Sequence, residues 1–223
     1  MKKSIYFFLC FLTILISSCK YANPKYISEG IIEYDAKPID ESNPMAGYAP
    51  GKMTVKFKKN LQAAEMSVMG GLFTTSFIFN PQKKTLTQLV KMLDLKQACI
   101  ESEKDIAEEN KNYKLNFEET GDSKEIAGYK CKKMIATMDD DPSAKFDVWY
   151  TDELNVTNPN ENTPYDAVKG MLMQYRLKKL GLEMEFTAVG VQKEKIADTE
   201  FELPSYYKVI TVKEMEEFFK SLQ

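Results

Sequence analysis

Apolar and polar side chains alternate along most of this chain. The pattern is clearest at 52–58, where Met53, Val55 and Phe57 alternate with lysines and a threonine. A period of two is typical of a β-strand with one buried face. Comparable segments predict further strands at 30–36, 61–69, 73–79, 84–93, 113–118, 128–136, 146–151 and 182–188. Stretches rich in Pro, Gly and Asn separate them and predict turns and loops, among them a turn at 121–122.

Three segments depart from the strand pattern. Residues 101–112 are highly charged and hold one large apolar residue, Ile106, which predicts either a solvated helix or a mobile excursion. Residues 165–176 are expected to begin as a short helix and lead into a strand. Near the end of the chain, Thr211 and Glu214 have the spacing of a capping box. Apolar residues then recur at helical spacing and predict an amphipathic helix packed on the sheet: Val212, Met215, Phe218, Phe219 and Leu222.

The number of strands decides the expected fold class. Nine to eleven short strands with few helices predict a mainly β (α+β) domain built on a strongly curved antiparallel sheet or open half-barrel, closed by a C-terminal amphipathic helix. A flat sheet of this width would leave long exposed edges and one bare face. Since composition does not change along the chain, residues 29–223 are expected to form a single domain.

The N-terminus has the features of an export signal. Lys2 and Lys3 precede an apolar run at 5–16, which is too short for a transmembrane helix of ~20 residues. The run ends in Ile-Ser-Ser-Cys at 16–19, which resembles the bacterial lipobox. The resemblance implies a signal peptide at 1–18, acylation of Cys19, a tether over 19–28 and a membrane as partner through this anchor. The alternative is an ordinary cleaved signal with a chance cysteine.

Composition excludes several classes of function. The chain has 30 Lys and Arg against 33 Asp and Glu, and removing Lys2 and Lys3 makes it more acidic, so no nucleic-acid partner is expected. Histidine, the usual general base and commonest metal ligand, is absent. We therefore predict no catalytic residue, no metal and no cofactor, and expect that the chain is not an enzyme. A hydrolase that uses the carboxylates of Glu183 and Glu185 is the weaker alternative.

Two cysteines remain besides Cys19 in the exported chain, Cys99 and Cys131. An oxidising compartment favours a disulfide between them. Two buried free thiols would pack equally well as small apolar groups. The sequence leaves both alternatives open.

Methionine and phenylalanine are frequent on the strand faces expected to point inward. Methionine is flexible and tolerates irregular partners, so such a concave face could bind an acyl chain. The alternative is that these side chains fill the core. The candidate lining residues are Met53, Phe57, Met66, Phe73, Phe77, Met134, Met171, Met173, Met184 and Phe186.

Short motifs in the second half resemble a known group of envelope proteins. The run 126–133, Ile-Ala-Gly-Tyr-Lys-Cys-Lys-Lys, followed by Trp-Tyr-Thr at 149–151, resembles the GLPGLI family of Bacteroidetes and a related lipoprotein-domain family. Gly-Met-Leu-Met at 170–173 stands near the place of the Gly-Leu-Pro-Gly-Leu-Ile motif, which is absent. Residues 201–207 resemble the end of curved-sheet lipoprotein domains, including LolA/LolB-like carriers. The resemblance implies a half-barrel with an apolar concave side and no catalytic residues.

These features together predict a non-enzymatic envelope lipoprotein. Its expected location is the outer membrane, facing the periplasm, because Lys20 and not an aspartate follows the acylated cysteine. The first hypothesis is that a lipid or another apolar ligand binds in the concave face of the sheet. The alternative is a structural or protein-interaction lipoprotein with a filled core. The sequence identifies neither the ligand nor a protein partner.

Overall fold

Twelve strands form one sheet in the computed structural model, which describes residues 26–179 and 181–222. The first six strands are β1 (Glu29–Pro38), β2 (Lys52–Lys58), β3 (Leu61–Val68), β4 (Phe73–Asn80), β5 (Thr85–Met92) and β6 (Leu95–Glu101). The other six are β7 (Leu115–Ile126), β8 (Tyr129–Met138), β9 (Lys145–Thr151), β10 (Met171–Lys179), β11 (Leu182–Gln192) and β12 (Lys208–Val209). The α-helices of the described residues are α1 (Glu103–Asn110) and α2 (Val212–Lys220), and short 3-10 turns lie at Ala46–Tyr48, Met69–Gly71 and Asp198–Phe201.

The sheet is a continuous meander joined at one internal seam. Its strand order is β12-β6-β5-β4-β3-β2-β1-β11-β10-β9-β8-β7, and the pairing of β1 with β11 connects the two halves. Every pair is antiparallel except the two-residue edge strand β12, which runs parallel to β6. The prediction of a mainly β, open curved sheet with few helices is confirmed.

One ion pair shows how strongly the sheet curves. Lys179 Nζ in β10 lies 3.6 Å from a carboxylate oxygen of Glu101 in β6. These strands are seven steps apart in the sheet order, which in a flat sheet would separate them by about 34 Å. The sheet therefore bends until its two halves face each other, with α1 lying between them and held by a second ion pair, from Lys179 to Glu109.

The predicted inward faces of β1 and β2 are buried. In β1, Ile32 and Tyr34 are at most 2% exposed, and in β2 Phe57 is completely buried. The C-terminal helix also begins as predicted, because the Thr211 hydroxyl accepts a hydrogen bond from the Glu214 backbone N–H and the Glu214 carboxylate accepts one from Thr211 N–H. Alternation and capping were thus sufficient to place these elements.

Four local predictions need correction or completion. Strand β6 was missed, because its mixed sequence Leu-Lys-Gln-Ala-Cys-Ile-Glu does not alternate cleanly. The predicted turn at 121–122 is an irregularity inside β7, where the register with β8 shifts between Glu119 and Ser123. Of the two alternatives for 101–112, the structure shows the helix, α1, begun by a capping box at Ser102. No helix forms at the start of 165–176, which is a turn that leads into β10.

The structure corrects the disulfide alternative for Cys99 and Cys131. Both thiols are free and almost completely buried. Cys99 lies in β6 and packs with α2, whereas Cys131 lies in β8 and packs in the main core. Eight strands of the sheet order separate them, so the two side chains belong to different clusters.

The predicted signal peptide, the acylated Cys19 and most of the tether lie outside the described residues, which begin at residue 26. Within 26–179 and 181–222, neither α-helix has the length and apolar character needed to span a bilayer.

Candidate functional site

The concave side of the sheet encloses a cavity of about 710 Å³. Strands β1 to β5 form one wall, and β10 and β11 form the facing wall. The helices α1 and α2 and the connection 152–170 cover the opening between them. The volume falls within the ~300–1,000 Å³ typical of small-molecule sites.

The cavity wall is chiefly apolar. Among the described residues, the charged side chains that line it are Glu109, Lys178 and Lys179. Aliphatic, methionine and aromatic side chains form most of the remaining surface, with backbone and amide groups of the 159–164 segment at one side. Such a surface interacts poorly with water and favours an apolar ligand.

Seven of the ten predicted lining residues lie on this wall. They are Met53, Met66, Phe73, Phe77, Met171, Met184 and Phe186. Phe57, Met134 and Met173 do not line it. Phe57 and Met173 are completely buried in the main core, and Met134 packs in a second cluster with Phe146 and Val148. Strand alternation identifies the buried face but not the level along the strand at which packing ends and the cavity begins.

A group of tyrosines in the wall was not predicted as part of the site. The Tyr34 hydroxyl donates to Leu172 O at 2.8 Å, and the Tyr165 hydroxyl donates to Arg176 O. Tyr175 stacks on Phe186 with ring centroids 5.3 Å apart. Burial raises the pKa of all three tyrosines well above the usual value, so they remain neutral. Tyr34 lay on the predicted inward face of its strand, whereas no periodic pattern marked Tyr165, which lies in a loop.

One side of the cavity ends in a small charged cluster. Lys179 pairs with Glu109 of α1 and with Glu101, whose side chain is almost fully buried behind α1. Burial raises the pKa of Glu101, Lys179 lowers it and Glu109 raises it, and the net pKa is above the ordinary value. The cluster therefore joins α1 to both halves of the sheet and places Glu109 and Lys179 at this side of the cavity wall.

The carboxylates of the hydrolase alternative do not face the cavity. Glu183 accepts a hydrogen bond of 3.0 Å from the Tyr113 hydroxyl, and Glu185 pairs with Lys37 at 2.9 Å. Neither carboxylate is among the cavity-lining groups. In residues 26–179 and 181–222, no group of three or more Cys, Asp or Glu side chains is arranged to hold a metal ion.

Comparison with known proteins gives a consistent family. The model of the family described as "N-glycanase peptide, N-terminal domain" matches residues 33–202. Two solved structures of PNGF-II, in the P21 and C2 space groups, have the same fold with TM-scores of 0.55 and 0.52. They are 16% and 15% identical to this chain, and each comparison covers 86% of it. The chain spans about a third of the length of the PNGF-II chains, 33% and 32%. A search of curated proteins finds no match.

These comparisons overturn the resemblance to the GLPGLI and LolA/LolB-like families. The motif residues have local structural roles that any β-hairpin can need. Ala127 and Gly128 adopt left-handed conformations (φ 48° and 80°) in the turn between β7 and β8, and Cys131 and Trp149 are core residues. Short motifs of this kind indicate a turn and a buried strand, and they do not identify a protein family.

The family match also bears on the expectation that the chain is not an enzyme. It relates the chain to a domain that is described by an enzyme, an N-glycanase, and this relation conflicts with the expectation. Since the match extends over most of the chain, from residue 33 to residue 202, this protein belongs to the family of N-glycanase peptide N-terminal domains.

Proposed function

We propose that this domain binds an apolar ligand, such as an acyl chain, in the cavity on the concave side of its sheet. The observation that carries the proposal is the cavity itself, about 710 Å³ in volume with a largely apolar wall. A filled-core interaction module would have no need for such a space.

The size and openness of the cavity distinguish it from a packing defect. It has a volume of about 710 Å³ and opens to solvent, whereas packing defects in protein interiors are few and small. Water finds few hydrogen-bond partners on its apolar wall. An apolar ligand would replace this unfavourable contact.

The wall also indicates where a ligand's polar end would lie. The hydroxyls of Tyr34 and Tyr165 are already bonded to backbone carbonyls and offer little to a ligand. The charged side chains of the wall, Glu109, Lys178 and Lys179, are concentrated around the end of β10 and α1. An apolar chain would therefore lie along the methionine and phenylalanine wall, with its polar end toward Lys178 and Lys179.

Native mass spectrometry of residues 20–223 tests this proposal. This segment retains all twelve strands and both helices. We expect a bound apolar mass after export to a bacterial periplasm and gentle purification, or after incubation with a lipid extract. Ala64→Trp, which places a large ring in the cavity wall, should abolish the bound mass. Glu65→Trp is the matched control, since Glu65 is the exposed neighbour on the same strand. A bare mass for the unaltered protein under all conditions would refute ligand binding.

A second candidate function follows from the family match. The domain would act in N-glycan processing, in keeping with the N-glycanase named in the family description. Incubation with an N-glycosylated protein should then release the glycan, detectable as a mass loss. An unchanged glycoprotein mass would remove this candidate.

We also propose that Cys19 anchors the protein to the outer membrane on its periplasmic side. The lipobox-like sequence at 16–19 supports this. Metabolic labelling with a radioactive fatty acid should mark the full chain and fail to mark Cys19→Ser. Label retained by Cys19→Ser would place acylation elsewhere.

A further inference from the structure

Four exposed apolar side chains surround the mouth of the cavity. They are Tyr48, Met69, Leu72 and Leu93, which are 57, 62, 54 and 64% exposed and also line the cavity. A hydrogen bond of 3.0 Å from Leu93 N–H to Leu72 O joins the two hairpin turns that carry three of them. We call these four residues the apolar rim. Contiguous exposed apolar side chains of this kind are typical of surfaces that contact a protein, a membrane or a ligand.

The two ends of the hairpins differ in polarity at turn positions that share a positive φ. Met69 and Leu93, at the cavity mouth, have φ of 52° and 53°. Lys59 and Lys84, in the turns at the other end of the same strands, have φ of 57° and 51°. This left-handed conformation disfavours side chains with a Cβ and is best suited to Gly or Asn. At one end of the hairpins lysine residues adopt this conformation, and at the other end an exposed methionine and an exposed leucine do.

Folding does not explain the apolar choice. An exposed Met or Leu at a left-handed turn position contributes neither packing nor a favourable backbone conformation. Lys59 and Lys84, at the opposite ends of the strands, show that a polar residue is accommodated at a turn position of positive φ. The apolar side chains at the mouth therefore serve contact with another phase or molecule.

Charge beneath the rim indicates which partner fits. Lys91 and Lys96 lie directly opposite each other on β5 and β6, just below the turn that carries Leu93. Like charges in this arrangement repel each other. The described residues place no carboxylate within ion-pair distance of either lysine, and Lys96 Nζ lies 4.5 Å from the centre of the Tyr206 ring. These two lysines outnumber Asp94, the acid in the same turn as Leu93. Apolar tips with a net positive charge set slightly back match the acyl region and the phosphate layer of an anionic bilayer.

We infer that the apolar rim docks the mouth of the cavity onto an anionic lipid bilayer, from which an apolar ligand enters without crossing water. The inference rests on the proposed ligand binding, because a rim that opens into an apolar cavity is a path for a water-insoluble molecule. Residue 28 lies beside Lys59, since Lys59 N–H donates to Ser28 O. The N-terminal side of the domain is thus at the polar end of the hairpins, opposite the rim.

Vesicle co-sedimentation of residues 20–223 tests the docking. We expect binding to vesicles of phosphatidylcholine with phosphatidylglycerol. Met69→Asn/Leu93→Asn should weaken it at least about tenfold, since each buried large apolar side chain contributes more than the 1.4 kcal/mol that corresponds to a factor of ten. Lys59→Asn/Lys84→Asn introduces the same residue at two positions of positive φ on the opposite end and should bind within about twofold of the unaltered chain.

A second measurement separates docking from ligand binding. A fluorescent fatty acid, added below its micelle concentration and without vesicles, reports the cavity alone. Ala64→Trp, which is not part of the rim, should lose the probe while it keeps its binding to the vesicles. Vesicle binding by the rim variant that equals that of the unaltered chain would overturn the docking. So would an unaltered chain that does not bind vesicles but forms a dimer that the rim variant cannot form, as measured by sedimentation. An unaltered chain that binds vesicles but does not bind the probe would overturn the proposed function instead.

Discussion

Two buried methionines should differ in their contribution to stability because one of them borders empty space. Met173 is completely buried in the main core and does not line the cavity, whereas Met184 is 5% exposed and does. Truncating a buried methionine to alanine costs ~2–5 kcal/mol, depending on how many contacts are lost. A side chain that faces a void already lacks partners on that side. We expect Met173→Ala to cost about 4 kcal/mol and Met184→Ala about 2 kcal/mol.

Urea unfolding followed by Trp149 fluorescence measures both costs. Trp149 is the single tryptophan of the chain and is 7% exposed, so its emission reports loss of the core. With a urea dependence of about 2 kcal/mol per M, the expected difference of ~2 kcal/mol separates the two midpoints by about 1 M. A ligand at 100 times its dissociation constant should raise the unfolding free energy of the unaltered chain by ~2.7 kcal/mol. Equal losses of unfolding free energy for the two substitutions would show that protein atoms fill the space beside Met184. That result would contradict the presence of a cavity there.

Three further results follow from the structure. Burial raises the pKa of Glu101 in the folded state above ~4.3, the ordinary value in an unfolded chain. The unfolding free energy should therefore fall as the pH rises from ~4.3 through the folded pKa. Urea titrations at several pH values should show this fall, and Glu101→Gln should lack it. Burial raises the pKa of Cys99 to about 11 and of Cys131 to about 12, so neither should react with a thiol reagent at pH 8 until urea unfolds the chain; fast labelling of the native protein would contradict this. Gly170→Ala should lower the thermal midpoint, since its Cβ would lie 2.5 Å from Thr151 O, whereas Gly47→Ala, with no atom within 4 Å, should leave it nearly unchanged.

Local sequence patterns were sufficient for most of the sheet and for α2. Strands such as β2 alternate strictly because one face is buried and the other is solvated, and this relation needs no knowledge of the rest of the chain. Strand β6 was missed because it is buried on parts of both faces: Ala98 packs under the segment around Phe201, and Cys99 packs under α2. Cover on both faces removes the alternation that identifies a strand.

The cavity could be anticipated only in part, because it depends on curvature. Met184 and Met173 have the same residue type and nearly the same burial, yet only Met184 faces open space. That difference is set by the bending of the sheet, by the Lys179 ion pairs that hold α1 across the opening, and by the loop that carries Tyr165. None of these has a periodic signal in the sequence. The resemblance to the GLPGLI and LolA/LolB-like families failed for a related reason, since its motifs describe a hairpin and a core that many β-sheets share.

The turn residues, in contrast, contain information that sequence patterns alone do not reveal. Read along the chain, Met69 and Leu93 look like ordinary apolar residues near strand ends, and Lys59 and Lys84 like ordinary polar ones. All four residues have a positive φ, and this conformation does not itself favour methionine or leucine over lysine. The difference between methionine or leucine at the mouth and lysine at the opposite end must therefore come from what each end faces. The lysine side chains are stabilised by water and, at Lys84, by an ion pair with Glu103, whereas apolar turns around an apolar cavity are stabilised only when something apolar covers them.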